Sequence, residues 1–277
     1  MRSASPAAGG SAGGAPPAGL RLGDRVRAGR PLLVGALSLA AGVVLWWLVT
    51  VAFDIPAYRL PTPGAVASHA LTLARDGALT LHVQQTLAEV VQGVLLGSVL
   101  GVVLAMLFTR VRPLERVLMP LIVIAQVTPK ISIAPLIVLW LGLGIGSKIA
   151  LITLVSFYPV LINMTMRLRT IPTGVDDLAR LLRIGPIARA IKIDLPYSLP
   201  AIAVGLRLGV LQAVTAAVIG EFIGAEAGLG YLERQAQDND DIRLVIISLG
   251  LLCLLAWVLY ALVGLVERRL SNRFGAA

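Results

Sequence analysis

Apolar runs of twenty or more residues alternate along the chain with short clusters of charge. Residues 31–53, 81–109, 118–141, 145–166, 199–222 and 245–266 each reach the roughly 20 residues that a helix needs to cross a hydrocarbon core. The pattern therefore predicts six spans. The run at 31–53 is too long for the apolar part of a signal peptide, and no small-residue cleavage site follows it, so it reads as a retained first span. Between the first two spans, residues 61–78 carry an amphipathic helical pattern, which predicts a helix lying along the membrane surface.

One polar stretch fits neither a span nor a tail. In residues 173–200, Thr173-Gly174-Val175-Asp176 has the spacing of a capping box, with a hydroxyl at the N-cap and a carboxylate at N3. Asp176 and Asp177 then fall in the first turn, where the helix dipole favours negative charge. Val175, Leu178, Leu181 and Leu182 recur at helical spacing. Gly185-Pro186 supplies a stop: glycine accepts the left-handed position after a helix, and proline cannot continue the ladder. A second short helical run, Ile187 to Ile193, precedes Pro196 and Pro200. The expectation is a helix–turn–helix knuckle with an exposed apolar stripe.

Composition agrees with a membrane chain, at 57% hydrophobic and 14% charged residues with a mean hydropathy of +0.86. The first thirty residues are Ala, Gly, Pro and Ser punctuated by arginine. They bury too little apolar surface to fold, so 1–30 is expected to be a disordered cytoplasmic tail and 31–277 the transmembrane domain. A net charge of +9 raises the question of nucleic acid, but its placement answers it. With the N-terminus inside, seventeen Lys and Arg fall in inner segments and five in outer ones, as the positive-inside rule requires, so no nucleic-acid partner is implied. The knuckle and both termini are then cytoplasmic. Cys253, alone in an apolar run, reads as a small buried hydrophobe and excludes a disulfide framework.

A knuckle of this kind between the fourth and fifth of six spans, ending in Leu195-Pro196, resembles the coupling loop of ABC importer permeases. That loop runs Glu-Ala-Ala, three residues, Gly, nine residues, then Ile-x-Leu-Pro. Asp177-Leu178-Ala179 stand at its Glu-Ala-Ala and Ile193 at its Ile. The glycine position falls on Arg183, two residues before Gly185, which predicts a shifted turn and a first helix shortened by Pro186. Two further blocks resemble the nitrate/sulfonate/taurine-type permeases. One runs from Thr128-Pro129-Lys130 through Trp140-Leu141-Gly142-Leu143-Gly144. The other comprises Gly205-Leu206-Arg207-Leu208 and Gly220-Glu221-Phe222-Ile223-Gly224, closing on Gly228-Leu229-Gly230-Tyr231. The resemblance covers residues 81–270, with the coupling loop at 167–198.

The resemblance implies an all-α, six-span type I importer permease in the bacterial inner (plasma) membrane. Two copies of the chain line a path, two ABC ATPase subunits sit beneath, and a periplasmic or lipid-anchored solute-binding protein delivers a small anionic or nitrogen- or sulfur-containing solute. Asp177, Leu178, Ala179, Leu181, Leu182, Gly185, Ile193, Leu195 and Pro196 are the expected coupling residues. No G-x-x-x-x-G-K-[ST] motif occurs, so ATP and Mg belong to the partner and this chain holds no cofactor and is not an enzyme.

Polar groups inside spans are functional candidates by default. Gln126, Thr128, Lys130 and Glu221 form the candidate substrate path. Lys130 has two readings: an ammonium that attracts an anion in the path, or a structural pair with Glu89 or Glu221. Arg207 is placed to snorkel toward the inner side. His82 and Gln85 near the outer mouth lack carboxylates at ligand spacing, which argues against a metal. Gly97 and Gly101 form a G-x-x-x-G packing face, and Trp46 and Trp47 read as interfacial or lipid-facing. Beyond the fifth span, Glu226, Glu233, Asp238, Asp240 and Asp241 make an acidic outer loop that either meets a binding protein or is simply solvated. An ATP-independent secondary transporter or channel is the competing class. It would be marked by inverted repeats of broken helices, which the pattern lacks. An intramembrane enzyme would need a cluster of reactive groups that the two histidines do not form.

Overall fold

The computed structural model describes residues 23–274, and the described chain is helical throughout apart from its turns. The residues up to Ile55 form one compact unit and those from Pro56 onward another. In the first, α1 (Gly23–Ala52) is a single helix of 30 residues. It takes in the last residues of the stretch expected to be a disordered tail; residues 1–22 lie outside the described part. Trp47 is exposed on α1, as a lipid-facing residue would be.

The second unit opens with α2 (Pro63–Arg75), the expected amphipathic helix. Thr62 caps it by accepting the Ala65 N–H, and Pro63 occupies the first turn, where a missing N–H costs nothing. Its apolar face, Val66, Ala70 and Leu73, packs with Leu79, Leu232 and Ile247. Gly77, with φ +71, makes the left-handed corner into the next helix.

Three long helices build the core: α3 (Ala78–Arg110), α6 (Ile145–Leu168) and α9 (Leu195–Gly224). With α11 (Ile242–Phe274), they supply the four described helices that are long and apolar enough to cross a membrane alone. α6 lies at the centre, which is why both of its faces are apolar, and Leu151, Ile152, Val155 and Val160 are almost wholly buried. The neighbours approach it through glycine. A Cβ on Gly101 of α3 would stand 2.6 Å from the Phe157 carbonyl oxygen, and one on Gly205 of α9 2.6 Å from the Val160 Cα. Gly97 and Gly101 thus form the close-packing face that their spacing predicts, turned toward α6.

The expected third span is broken. α4 (Arg112–Val127) and α5 (Lys130–Leu141) meet at 105°, with Thr128 and Pro129 extended between them. Pro129 has no N–H to donate and disfavours helical geometry at the residue before it, so the ladder ends there. Lys130 is consequently at the start of α5, not in the middle of a straight span. Pro135 lies inside α5 without breaking it. Four long helices, this broken pair and the shorter apolar stretch Leu37–Ala52 stand where six uninterrupted spans were expected.

The acidic outer loop also folds further than its composition suggests. It holds α10 (Leu229–Asp238), whose Leu229, Leu232 and Ala236 are buried, Glu233 half-buried, and Arg234 and Asp238 exposed. Cys253, expected to be buried, is exposed on α11, because the buried face of that helix falls on Ser248, Leu252 and Leu255 instead.

Candidate functional site

The knuckle consists of α7 (Thr173–Leu181), α8 (Pro186–Arg189) and a wide π turn over Ala190–Asp194 that runs directly into α9. No side chain caps α7, so the expected capping box does not form. Asp176 instead accepts from Arg189 Nη2, an ion pair that joins the two arms of the knuckle. The turn also differs from expectation. Arg183, not Gly185, takes the left-handed conformation, with φ +50. The Ile184 N–H donates to the Ala179 carbonyl at 3.0 Å and the Arg183 N–H to the Arg180 carbonyl at 3.0 Å, the paired closing bonds of a Schellman motif. The turn is therefore not shifted: the C′ residue stands where the coupling-loop pattern has its glycine. Gly185 is extended, at φ −64 and ψ 159, and precedes α8.

Below the turn, Asp194 is the brace. It is 7% exposed, accepts from Arg110 Nη2 of α3 at 2.8 Å, and faces Arg189 Nε at 3.4 Å. Arg167 lies 4.1 Å over the Tyr197 ring, and the Tyr197 hydroxyl reaches Thr170, so the end of α6 is fastened to the start of α9. The knuckle is thus held at its base and bare at its tip. Leu178, Leu181, Leu182, Ile187 and Ile191 are all more than half exposed, whereas Ala179 is buried. Asp177 and Gly185 are exposed beside this stripe, while Ile193, Leu195 and Pro196 sit half-buried at the base.

Of the four path candidates, three meet at the α4–α5 bend. Gln126 Nε2 donates to the Leu154 carbonyl of α6 at 2.8 Å, Thr128 Oγ1 to the Ile124 carbonyl at 2.8 Å, and Lys130 Nζ to the Gln126 carbonyl. Lys130 pairs with neither Glu89 nor Glu221, which removes the structural pair as its explanation. Glu221 belongs to a separate buried cluster, at the end of the bundle away from the knuckle. Thr86 Oγ1 donates to Glu221 Oε1 at 2.6 Å, the Gly230 N–H donates to Glu221 Oε2, and the Leu229 N–H donates to Thr86 Oγ1 at 2.7 Å. Beside it, Glu89 Oε1 accepts from Lys148 Nζ at 2.6 Å and from Gln85 Nε2 at 2.7 Å. His82 Nδ1 accepts the Gly228 N–H at 3.1 Å, its ring stacked on Tyr231.

Gly228, at φ +130, and Gly230 are required here because the Glu221 carboxylate fills the space where a Cβ would stand. Lys148 is one of the five basic residues that the positive-inside count assigns to outer segments. Its place one turn inside a span start, four residues after Gly144, is the signal that could have marked it as buried. Arg207 does not end in solvent either: its Nη1 meets Glu267 Oε2 at 3.0 Å and its guanidinium lies 4.0 Å over Tyr260, tying α9 to α11. No cluster suited to a metal ion occurs among the described residues.

The arrangement of α3, α6 and α9 with the knuckle between the last two can be compared with known proteins. Over 69% of this chain and 95% of the other, the fold resembles that of a chain in an inward-facing structure of the MetNI methionine ABC transporter, with a TM-score of 0.61 at 22% identity. A protein of Haemophilus influenzae named "Probable ABC transporter permease protein" is 37% identical over 236 residues, covering 85% of this chain and 94% of its own. The riboflavin transport system permease protein of Chloroflexus aurantiacus is 32% identical over 240 residues, covering 87% and 90%. Residues 97–272, which include α3 from Gly97 on, all of α6 and α9, the knuckle and Gly228–Tyr231, match the binding-protein-dependent transport system inner membrane component family. The chain belongs to that family and is a permease subunit of an ABC transporter, without an ATPase site of its own.

Proposed function

We propose that the knuckle is the surface through which a separate ABC ATPase drives this permease, and that the driven motion opens a path for a small anionic or nitrogen- or sulfur-containing solute. The observation that carries this reading is the knuckle's mechanical form: an apolar tip that stays exposed among the described residues, and a base braced by Asp194, Arg110 and Arg189 directly to α3 and α9. A force applied at Leu178, Leu181, Leu182 and Ile187 passes into two long helices without a flexible joint. ATPase closure then rocks α9 against its neighbours between two discrete packings. Asp177 and Ala179 lie on the same arm; Ile193, Leu195 and Pro196 carry the load into α9.

In the same reading two permease copies line the path, a solute-binding protein docks on the side opposite the knuckle, and both termini are cytoplasmic, as the distribution of basic residues supports. The α4–α5 bend is where the path would meet solute: the Lys130 ammonium and the second N–H of the Gln126 amide offer donors to an anion, beside Thr128, whose hydroxyl is given to the Ile124 carbonyl. Glu221 is turned away from that bend, into the Thr86–Gly230 cluster.

The test is purification of the tagged chain in mild detergent from its own membrane, with mass spectrometry of what accompanies it. A P-loop ATPase is expected, lost when Leu178 and Leu182 are both replaced by Asp. A chain that purifies alone, or an ATPase unaffected by the double variant, overturns the coupling reading and favours ATP-independent transport.

A further inference from the structure

At the knuckle end of the helices lies an open cavity of about 1450 Å³ between α4, the ends of α3 and α6, and the start of α7. Its chemistry is graded. The upper wall is apolar, with Phe108, Met119, Val123 and Ile124, and the mouth is ringed by Arg110, Arg112, Arg116, Arg169 and Arg189. Three carboxylates share that mouth, and each is already taken: Glu115 by Arg169, Asp176 by Arg189, Asp194 by Arg110 and Arg189. Arg112 and Arg116 have no carboxylate partner among the described residues. The cavity therefore carries two guanidinium groups in surplus, on one helical turn, directly beneath an apolar wall.

That wall continues outward. Leu121, Val123 and Ile124 are exposed on α4, and from Arg112 to Ile124 the helix rises about 18 Å, comparable with the length of an acyl chain. A ligand that fits both parts must be anionic at one end and long and apolar at the other. Guanidinium groups suit phosphate because their paired N–H donors match two of its oxygens. Basic pockets between membrane helices bind acidic lipid headgroups on the same grounds.

We propose that this cavity seats the phosphate headgroup of an anionic membrane phospholipid, held by Arg112 and Arg116, with its acyl chains along the exposed face of α4. The bound lipid fills the gap between the α4 start and the knuckle base, so it bears on the same Arg110–Asp194 brace that holds the knuckle. The proposal does not depend on the coupling reading, because it concerns a static cavity.

The test is native mass spectrometry of the full chain, with any subunits that accompany it, after exchange into micelles doped with phosphatidylglycerol or with phosphatidylcholine. Phosphatidylglycerol is expected to be retained on the order of tenfold more strongly, since each arginine near a lipid surface adds comparable attraction. Arg112→Gln with Arg116→Gln should abolish the preference, and the paired Lys variants should keep most of it. Arg59→Gln with Arg75→Gln, which removes two charges elsewhere, should leave it intact. Equal retention of the two lipids, or a preference that survives the Gln pair, overturns the proposal. Displacement of the lipid by millimolar inorganic phosphate overturns it too, and makes the site one for free phosphate.

Discussion

Replacing Lys148 by Met removes one half of an ion pair with nowhere else to discharge. The Lys148 and Glu89 side chains are 5% and 0% exposed, and their 2.6 Å contact is the ammonium's link to α3. Without it, Glu89 keeps only the Gln85 amide on Oε1, while Oε2 has no hydrogen-bond partner even in the intact protein. The carboxylate of Glu221 stands close by, so the substitution also strips the positive charge from between two buried acids. Removing one partner of a buried pair costs about 3–5 kcal/mol, mostly because the other charge is left uncompensated. For a chain of this size that corresponds to a fall of about 6–20 °C in melting temperature, at roughly 2–4 °C per kcal/mol. The double variant Lys148→Met with Glu89→Gln removes both charges and should recover to within about 1 kcal/mol of the parent. Thermal unfolding of the detergent-solubilised protein, of Lys148→Met, of Glu89→Gln and of the double variant closes the cycle. A loss under about 1 kcal/mol for Lys148→Met, or a double variant that costs the sum of the singles, refutes the reasoning.

Three further outcomes test other parts of the fold. Gly205→Ala should destabilise by about 1–3 kcal/mol, because its Cβ meets Val160 and Pro159 backbone at 2.6 and 2.7 Å, whereas Gly146→Ala, with open space around it, should be neutral or slightly stabilising in the same melt. Arg183→Gly should relieve about 1–2 kcal/mol of left-handed strain and slow hydrogen exchange at the Ile184 amide several-fold; Gly185→Ala should leave that amide unchanged, and the reverse pattern would put the turn at Gly185 after all. Asp194→Asn should free Arg110 and Arg189, speed limited proteolysis within residues 182–190, and lower transport while leaving ATPase binding in place; unchanged cleavage would show that Asp194 is not the brace.

How much of this was legible beforehand follows from the range of the forces involved. Hydrophobic runs long enough to span a membrane are local facts, so the core helices could be read within a few residues of their ends, and the Gly97–Gly101 face with them. The position of the knuckle was equally plain, because a charged stretch between two long apolar runs has few alternatives. Its internal geometry was not. Arg183 adopts a conformation that its own type disfavours, since the closing bonds to Ala179 and Arg180 and the packing below over-determine it, and propensity alone pointed to Gly185. The bend at Thr128-Pro129 had a signal, but hydropathy averaged across it.

Partner choice lay furthest from the sequence. Lys130 was the conspicuous intramembrane charge, yet Lys148, close to a span end, is the one that meets Glu89 across 59 residues of chain. Asp194 holds one arginine from α3 and one from the knuckle itself, and Glu221 caps a turn that begins seven residues further on. Alternation of polar and apolar residues determined which segments enter the membrane, because burial is settled residue by residue against the solvent. Which charge meets which was decided only when α3, α6 and α9 closed on their glycines, because an ion pair needs two residues brought within about 4 Å and nothing in the order of the chain records that distance.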